Sequence, residues 1–188
     1  MINFESIKWK NMLSTGDVWT EIHLNRSPTT LVIGENGSGK STLLDALCFA
    51  LFGRPFRKIN KPQLVNSVNE KKLMVIVKFT IGSTKYRVSR GIKPAGFLIE
   101  VDGKPLHQTA AARDQQEFLE KNILKLNYNS FTQIVILGSS TFVPFMQLSA
   151  QARREIIEDL LDIKIFTAMN TLLKERIQTN KENTLELK

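Results

Sequence analysis

The sequence predicts an α/β fold that carries an antiparallel β lobe and a C-terminal helix starting a coiled coil. A β-branched run at residues 30–33 leads into a glycine-rich loop and then into an amphipathic helix. Alternating apolar and polar residues with glycine turns fill residues 73–106, and helical spacing of apolar residues resumes at Ser149. We therefore divide the chain into an N-terminal lobe, residues 1–148, and a helix, residues 149–188.

Two strands are predicted ahead of the glycine-rich loop. Residues 1–10 alternate apolar and polar with one slip, which is typical of an edge strand with a bulge. Gly16 and Asp17 form a turn, and residues 18–24 give the second strand. The run at residues 30–33 is then predicted to be a buried strand that feeds the loop.

Residues 34–41, GENGSGKS, match the phosphate-binding pattern G-x-x-x-x-G-K-[ST]. Glycines let the backbone wrap a phosphate closely and turn its N–H groups inward. The following helix, predicted to end at Gly53, aims the positive end of its dipole at the same anion. The predicted nucleotide-binding residues are Gly34, Asn36, Gly37, Ser38, Gly39, Lys40, Ser41 and Thr42.

The side chains of the loop predict ATP and Mg²⁺ as the cofactors. Lys40 is expected to reach the β and γ phosphates, and the Ser41 hydroxyl to take one coordination site on Mg²⁺. Thr42 is expected to contact the α phosphate. Phosphate-loop ATPases also need a carboxylate at the end of a strand, but Ile157-Glu158-Asp159 falls in a predicted helix. We therefore expect the hydrolytic groups to come from another segment.

Composition limits the partners and the compartment. Lysine and arginine number 26 against 18 acidic residues, a net charge of +8 that favours a polyanion such as nucleic acid, although a Mg·ATP site alone tolerates it. Cys48, the single cysteine, is predicted to pack in the core, which excludes a disulfide framework. His23 and His107 lie too far apart to suggest a zinc site. No run reaches membrane-spanning length, so we expect a soluble, intracellular protein.

The middle of the chain predicts the β lobe and its flanking segments. Residues 73–81 and 84–90 form a hairpin around Gly82-Ser83, and residues 97–101 and 104–106 form another around Asp102-Gly103. One face of this lobe is basic, and a helix over residues 110–125 follows. The loop between Gly53 and the β lobe is interpreted as solvated, with nucleic-acid contact as the alternative. It contains the cations Arg54, Arg57, Lys58 and Lys61.

The last third of the chain predicts one strand and one long helix. Residues 131–137, FTQIVIL, give a buried strand that ends in Gly138-Ser139-Ser140-Thr141, either an ordinary loop or a segment that approaches the nucleotide. From its N-cap at Ser149 a helix runs nearly to the end. Its heptad-like part from Met169 indicates either a coiled coil or an exposed terminal helix.

Taken in order, four segments resemble the N-terminal half of the head domain of Rad-fifty/SbcC-type ATPases, of the structural-maintenance-of-chromosomes superfamily. They are GENGSGKSTLLDALCFALFG, KFTIGSTKYRVSRG, SFTQIVILGSS and LSAQARREIIEDLLDI. The shorter GRPF, QLVNS and FVPFMQLS are most similar to the bacteriophage branch of that family. The resemblance covers essentially the whole chain and implies a phosphate-loop, ABC-ATPase-like half-head.

The resemblance also implies a function and partners. It implies the ATP-binding subunit of a nuclease complex for DNA double-strand-break repair and recombination. A C-terminal half of the same head would supply the signature motif and the Mg²⁺-holding acidic strand (Walker B), so no catalytic residue is assigned to this chain. Two such heads would sandwich ATP as a homodimer and gate the access of DNA to a metal-dependent nuclease subunit, bound here around residues 156–174. The location implied is the cytoplasm, of a bacterial host cell if a phage encodes the protein.

Two positions depart from the family pattern. The glutamine that usually ligates Mg²⁺ after the FTQIVIL-like strand aligns with Ser139, while Gln133 comes too early. Ser139 is therefore a second predicted magnesium ligand, either direct or through a water. The asparagine-aromatic-arginine-serine run of cellular relatives reads Asn11-Met12-Leu13-Ser14 here, so the arginine contact is not carried over.

Two alternatives stay open on the sequence. A self-contained phosphate-loop kinase or hydrolase predicts turnover by this chain alone, and the missing acidic strand argues against it. A non-catalytic DNA-binding module with a nucleotide site predicts salt-sensitive DNA binding that is indifferent to ATP.

Overall fold

The computed structural model describes residues 2–106, 112–136, 143–161 and 163–186. The chain forms two compact units, Met1–Leu124 and Lys125–Lys188. The first unit contains the antiparallel sheet and the phosphate loop, and the second is helical over its described residues.

Six antiparallel strands form the sheet of the first unit, in the order β2-β1-β3-β4-β5-β6. They are β1 Ile2–Lys10, β2 Thr20–His23, β3 Leu73–Ile81, β4 Thr84–Ile92, β5 Gly96–Val101 and β6 Lys104–Pro105. Both predicted hairpins form, with β3 pairing to β4 and β5 to β6. The glycine turns at Gly82 and Gly103 therefore set the register as the sequence predicts.

The predicted bulge in β1 is confirmed, but its predicted place at the edge of the sheet is wrong. The register shifts between Phe4 and Ser6, where the alternation slips. β1 lies inside the sheet because β2 pairs with one side of it and β3 with the other. Alternation in sequence reports which face is buried and carries no information about how many neighbours a strand has.

Helix α1, Thr42–Phe52, forms the core of the first unit together with the sheet. It packs against β1, β3 and β4, and its residues from Asp45 to Phe52 are all buried. The predicted cap at Gly53 is confirmed, because this residue has φ 68° and its N–H donates to the Phe49 carbonyl. Cys48 is fully buried, as predicted, and burial raises the pKa of its thiol to about 12, which makes it a packing residue.

The strand predicted at residues 30–33 does not form. Leu31 and Ile33 are 82% and 83% exposed, and no strand of the described ranges pairs with this run. β-branched residues favour a strand only where a neighbour accepts the backbone hydrogen bonds and covers the side chains. An apolar segment therefore lies exposed directly before the phosphate loop.

The helix predicted over residues 110–125 is confirmed over residues 112–124. α2 spans Ala112–Phe118 and continues as a π-helical segment, Leu119–Leu124. The basic loop after α1 contains a short 3-10 helix, Lys61–Leu64, with a capping box between Asn60 and Gln63.

In the second unit, the strand predicted at residues 131–137 is wrong. Helix α3, Tyr128–Ile134, occupies its first part, because the Asn127 side chain accepts a hydrogen bond from the Ser130 N–H at 2.9 Å and caps the helix. The Ser130 hydroxyl in turn donates to the buried Asp159 carboxylate at 2.6 Å. The local cap and this buried hydrogen bond override the β propensity of the run. Residues 137–142, which include Ser139, lie outside the described residues.

The sequence predicted a single C-terminal helix, but the structure has two, α4 Ala150–Leu160 and α5 Lys164–Glu186. The predicted N-cap is confirmed, since the Ser149 side chain accepts from the Ala152 N–H. Asp159 lies in α4, as predicted for the acidic run. Along α5 the described apolar side chains are exposed, and the coiled coil stays a prediction. Within the described ranges, none of the helices has the length and hydropathy needed to cross a membrane.

Candidate nucleotide-binding site

The phosphate loop adopts a conformation that its glycines make possible. Gly37 has φ 85° and Gly39 has φ 92°, in the left-handed region that other residues rarely adopt. The Thr42 N–H donates to the Gly39 carbonyl at 2.9 Å, which starts α1 directly after the loop. The sequence pattern thus folds into a tight turn at a helix N-terminus.

Free backbone donors gather at this turn. Among the residues that the structure describes, no hydrogen bond uses the backbone N–H of Gly37, Gly39, Lys40 or Ser41. Consecutive unpaired amides at the start of a helix are favourable partners for an anion, because the helix dipole adds to their partial charges. The donor set therefore fits the phosphates of a nucleotide.

The predicted side chains of the loop lie beside these amides. The Lys40 ammonium donates to the carbonyls of Gly34 at 2.6 Å and Glu35 at 2.7 Å, which leaves one of its three N–H donors for a phosphate oxygen. The Ser41 side chain makes no capping hydrogen bond, so its hydroxyl is available to a magnesium ion. The contacts of Lys40, Ser41 and Thr42 with phosphate and metal remain predictions.

A cavity of about 420 Å³ opens over the loop. Its walls combine predicted residues with three that the sequence did not assign to the site. The predicted ones are Asn36, Gly37, Gly39, Lys40, Ser41 and Thr42, and the others are Leu13, Ser14 and Arg57. Gly34 and Ser38 contribute to the turn and lie outside this lining.

Arg57 is the main residue that sequence reasoning missed. Its backbone N–H and its Nε donate to the carboxylate of Asp45, at 2.9 and 2.6 Å, and Nη2 forms an ion pair with the same group. Asp45 has no solvent exposure, whereas the Arg57 side chain is 45% exposed and lines the cavity. A guanidinium held by a buried carboxylate therefore lines the space above the loop. The signal in the sequence was Asp45, an acidic residue among the apolar residues of the helix after the phosphate loop. A buried carboxylate needs a cationic or hydrogen-bonding partner, which here is Arg57.

The wall formed by Leu13 and Ser14 is held by buried amides. The Asn66 side chain donates to the Leu13 carbonyl at 2.8 Å, and the Leu13 N–H donates to the Leu64 carbonyl at 2.7 Å. Asn11, fully buried, accepts from the Asn69 side chain at 2.6 Å. The segment that lacks the family arginine thus still borders the cavity, and Arg57 supplies a cation there from the segment after α1.

Of the two predicted magnesium ligands, only Ser41 is among the residues that the structure describes. Ser41 lies at the cavity, and Ser139 lies outside the described residues. Gln133, the alternative to Ser139, is in α3 of the second unit. In the described part of the chain, no three His, Cys, Asp or Glu residues are grouped to hold a metal.

The phosphate loop, its helix and the antiparallel sheet define a phosphate-loop ATPase half-head. The same fold occurs in the solved structure "Structural biochemistry of ATP-driven dimerization and DNA stimulated activation of SMC ATPases". That structure aligns with a TM-score of 0.59 over 84% of this chain and 99% of its own, at 22% identity. The chain belongs to the AAA domain family, whose family model matches residues 6–188.

Curated relatives confirm the Rad-fifty/SbcC-type resemblance. "Exonuclease subunit 2" of Escherichia phage RB69 is 42% identical over 172 residues, which cover 92% of this chain and 30% of that protein. The "DNA double-strand break repair Rad50 ATPase" of Thermoplasma volcanium is 28% identical over 177 residues, covering 92% of this chain and 19% of that protein. The chain thus spans less than a third of the length of either relative.

Replacing Lys40 by alanine tests the phosphate contact. We expect Lys40→Ala to weaken Mg·ATP binding by about 1.5 to 3 kcal/mol, because a charge-assisted hydrogen bond to phosphate is lost. Calorimetric titration with Mg·ATP measures this, with the exposed Lys71→Ala as a matched control. An unchanged affinity for ATP would contradict the assignment of Lys40.

Replacing Arg57 by methionine tests the cation held by Asp45. We expect Arg57→Met to lower ATP affinity and also to lower the free energy of unfolding by about 1 to 3 kcal/mol, since a buried carboxylate loses two hydrogen-bond donors. The neighbouring exposed Lys58→Met should change neither quantity. Equal denaturation midpoints and equal affinities for the two variants would rule out the role given to Arg57.

Proposed function

We propose that this chain is the ATP-binding half of an ATPase head in a DNA double-strand-break repair and recombination nuclease complex. The observation that carries the proposal is the cavity in which unpaired loop amides, Lys40 and Arg57 surround a space suited to phosphates. The relatives named for an exonuclease subunit and for double-strand break repair support the biological setting.

A complementary half-head is part of this proposal. Leu31 and Ile33 form an exposed apolar run that leads directly into the phosphate loop. A contiguous exposed apolar run of this kind marks a surface that another element can cover. We propose that the C-terminal half of the head pairs with this run and supplies the acidic strand and signature motif for hydrolysis.

ATP then has a mechanical role. Two completed heads enclose two Mg·ATP molecules at their interface, with Lys40 and Ser41 of each chain on the phosphates and the metal. Closure of the dimer gates the access of DNA to the nuclease, and hydrolysis separates the heads again. The name of the solved SMC structure refers to ATP-driven dimerization of its own class of ATPase, which is the part of this proposal that the fold likeness supports.

The nuclease subunit is assigned to the helices of the second unit, around residues 156–174. Phe166, Met169 and Leu173 are 65%, 52% and 55% exposed, and they recur at the spacing of one helix face. We expect Phe166→Asp with Met169→Asp to abolish co-purification of the nuclease subunit. The distal Asn180→Asp with Thr184→Asp should leave it intact. Retention of the nuclease by the first pair would exclude this surface.

Reconstitution of the head tests the proposal as a whole. We expect the chain to hydrolyse ATP only after co-expression with its complementary C-terminal half, and we expect Lys40→Ala to abolish that activity. Light scattering with a non-hydrolysable ATP analogue should give the mass of two heads, and that of one head without nucleotide. A mass that does not change with nucleotide, or DNA binding that is indifferent to ATP, would favour the DNA-binding module instead.

A further inference from the structure

A second cavity, of about 620 Å³, lies in the first unit away from the phosphate loop. Residues from α1, the 3-10 helix Lys61–Leu64, the β4–β5 hairpin and α2 line it. No residue lines both this cavity and the one over the phosphate loop. Its volume falls in the range of about 300 to 1,000 Å³ that small-molecule sites occupy.

A rigidly held arginine forms part of the wall. Arg90 on β4 donates from Nε to the Ala50 carbonyl at 3.0 Å and from Nη2 to the Gln116 side chain. Its guanidinium carbon lies 3.7 Å from the centroid of the Phe97 ring. Because these contacts fix the guanidinium before any ligand arrives, a ligand would lose little of its binding energy to ordering this side chain.

Two lysines add to the same positive wall. A Cβ atom built at Gly53 would lie 2.9 Å from Arg90 Nη1 and 3.7 Å from Lys61 Nζ, so the two cations converge on one point. Lys93, on the β4–β5 hairpin, also lines the cavity. None of the described lining residues is acidic, and neither lysine has an ion-pair partner in the described part of the chain.

Burial and neighbouring positive charges act against the charged forms of Arg90 and Lys61. Burial lowers the pKa of Arg90 to about 10, against the opposing effect of Glu120. Partial burial, together with the positive charges of Arg90 and Arg54, lowers the pKa of Lys61. A bound anion would relieve both effects, because an opposite charge favours the charged form of each group.

The rest of the wall is apolar. Phe49, Pro62, Ile92 and Phe97 stand beside the cations. A ligand with a charged head and an apolar or aromatic body would contact these apolar side chains as well as the cations.

We propose that this cavity binds a terminal phosphomonoester that is attached to an aromatic body, either a free mononucleotide or the 5′-phosphorylated end of a nucleic-acid strand. The phosphoryl group carries close to two negative charges near neutral pH and presents three acceptor oxygens, which match Arg90, Lys61 and Lys93. The base would lie against the apolar wall. The site is independent of ATP binding at the phosphate loop.

Binding of dTMP to the Lys40→Ala chain tests the proposal, because that change weakens phosphate binding at the phosphate loop and leaves this cavity unaltered. We expect saturable binding of dTMP and none of thymidine, which lacks the phosphate. Lys61→Met and Lys93→Met, made in the same background, should each weaken dTMP binding about tenfold or more. Lys85→Met, an exposed lysine at the far end of β4, should have no effect. Thermal unfolding of each variant checks that the chain is folded.

The outcomes separate this site from the ATP site. Absence of saturable dTMP binding, equal binding of thymidine, or unchanged affinity in both lysine variants would overturn the proposal. A weaker affinity for ATP in Lys40→Ala, with the affinity for dTMP unchanged from the unsubstituted chain, would show two independent sites. Matched oligonucleotides with a 5′-phosphate or a 5′-hydroxyl then identify the source of the ligand. If the 5′-phosphorylated strand binds more tightly than the 5′-hydroxyl strand, and Lys61→Met removes this difference, the ligand is a strand end. If the two strands bind equally while dTMP still binds, the ligand is a free mononucleotide.

Discussion

The pairing of Asp45 with Arg57 is the interaction on which the candidate nucleotide site most depends. Asp45 lies on the buried side of α1, and its carboxylate accepts hydrogen bonds from both the backbone N–H and the Nε of Arg57. The segment that follows Gly53 is thereby tied back to the helix that begins at the phosphate loop. The Asp45 carboxylate thus holds both the loop after Gly53 and the Arg57 side chain against α1. Helix α1 is in turn held in place by packing against the sheet of the first unit.

Local signals explain the parts of the fold that the sequence predicted. The phosphate loop, the Gly53 cap, the Ser149 cap and the glycine turns of the hairpins each depend on residues close together in the chain. The positive φ angles of Gly37 and Gly39 are local features too, because the residue type alone determines whether that conformation is accessible. Such features can be read without knowing what the segment packs against.

Non-local contacts decided the parts that the sequence did not predict. The apolar runs at residues 30–33 and 131–137 have similar β propensity, yet one is exposed and the other begins in a helix. In the first case no described strand pairs with it, and in the second Asn127 and Asp159 stabilise α3. Arg57 escaped prediction for the same reason, because its role depends on a carboxylate that lies twelve residues earlier.

In the proposed function, this chain binds the nucleotide and a complementary segment supplies the groups for hydrolysis. Mg·ATP affinity and steady-state phosphate release, measured on one sample of the chain alone, test that division most directly. We expect saturable binding of Mg·ATP, weakened in Lys40→Ala, with no turnover above background. Robust turnover by the chain alone would show that it holds its own hydrolytic groups and would favour a self-contained enzyme. An absence of Mg·ATP binding would rule out the nucleotide site at the phosphate loop.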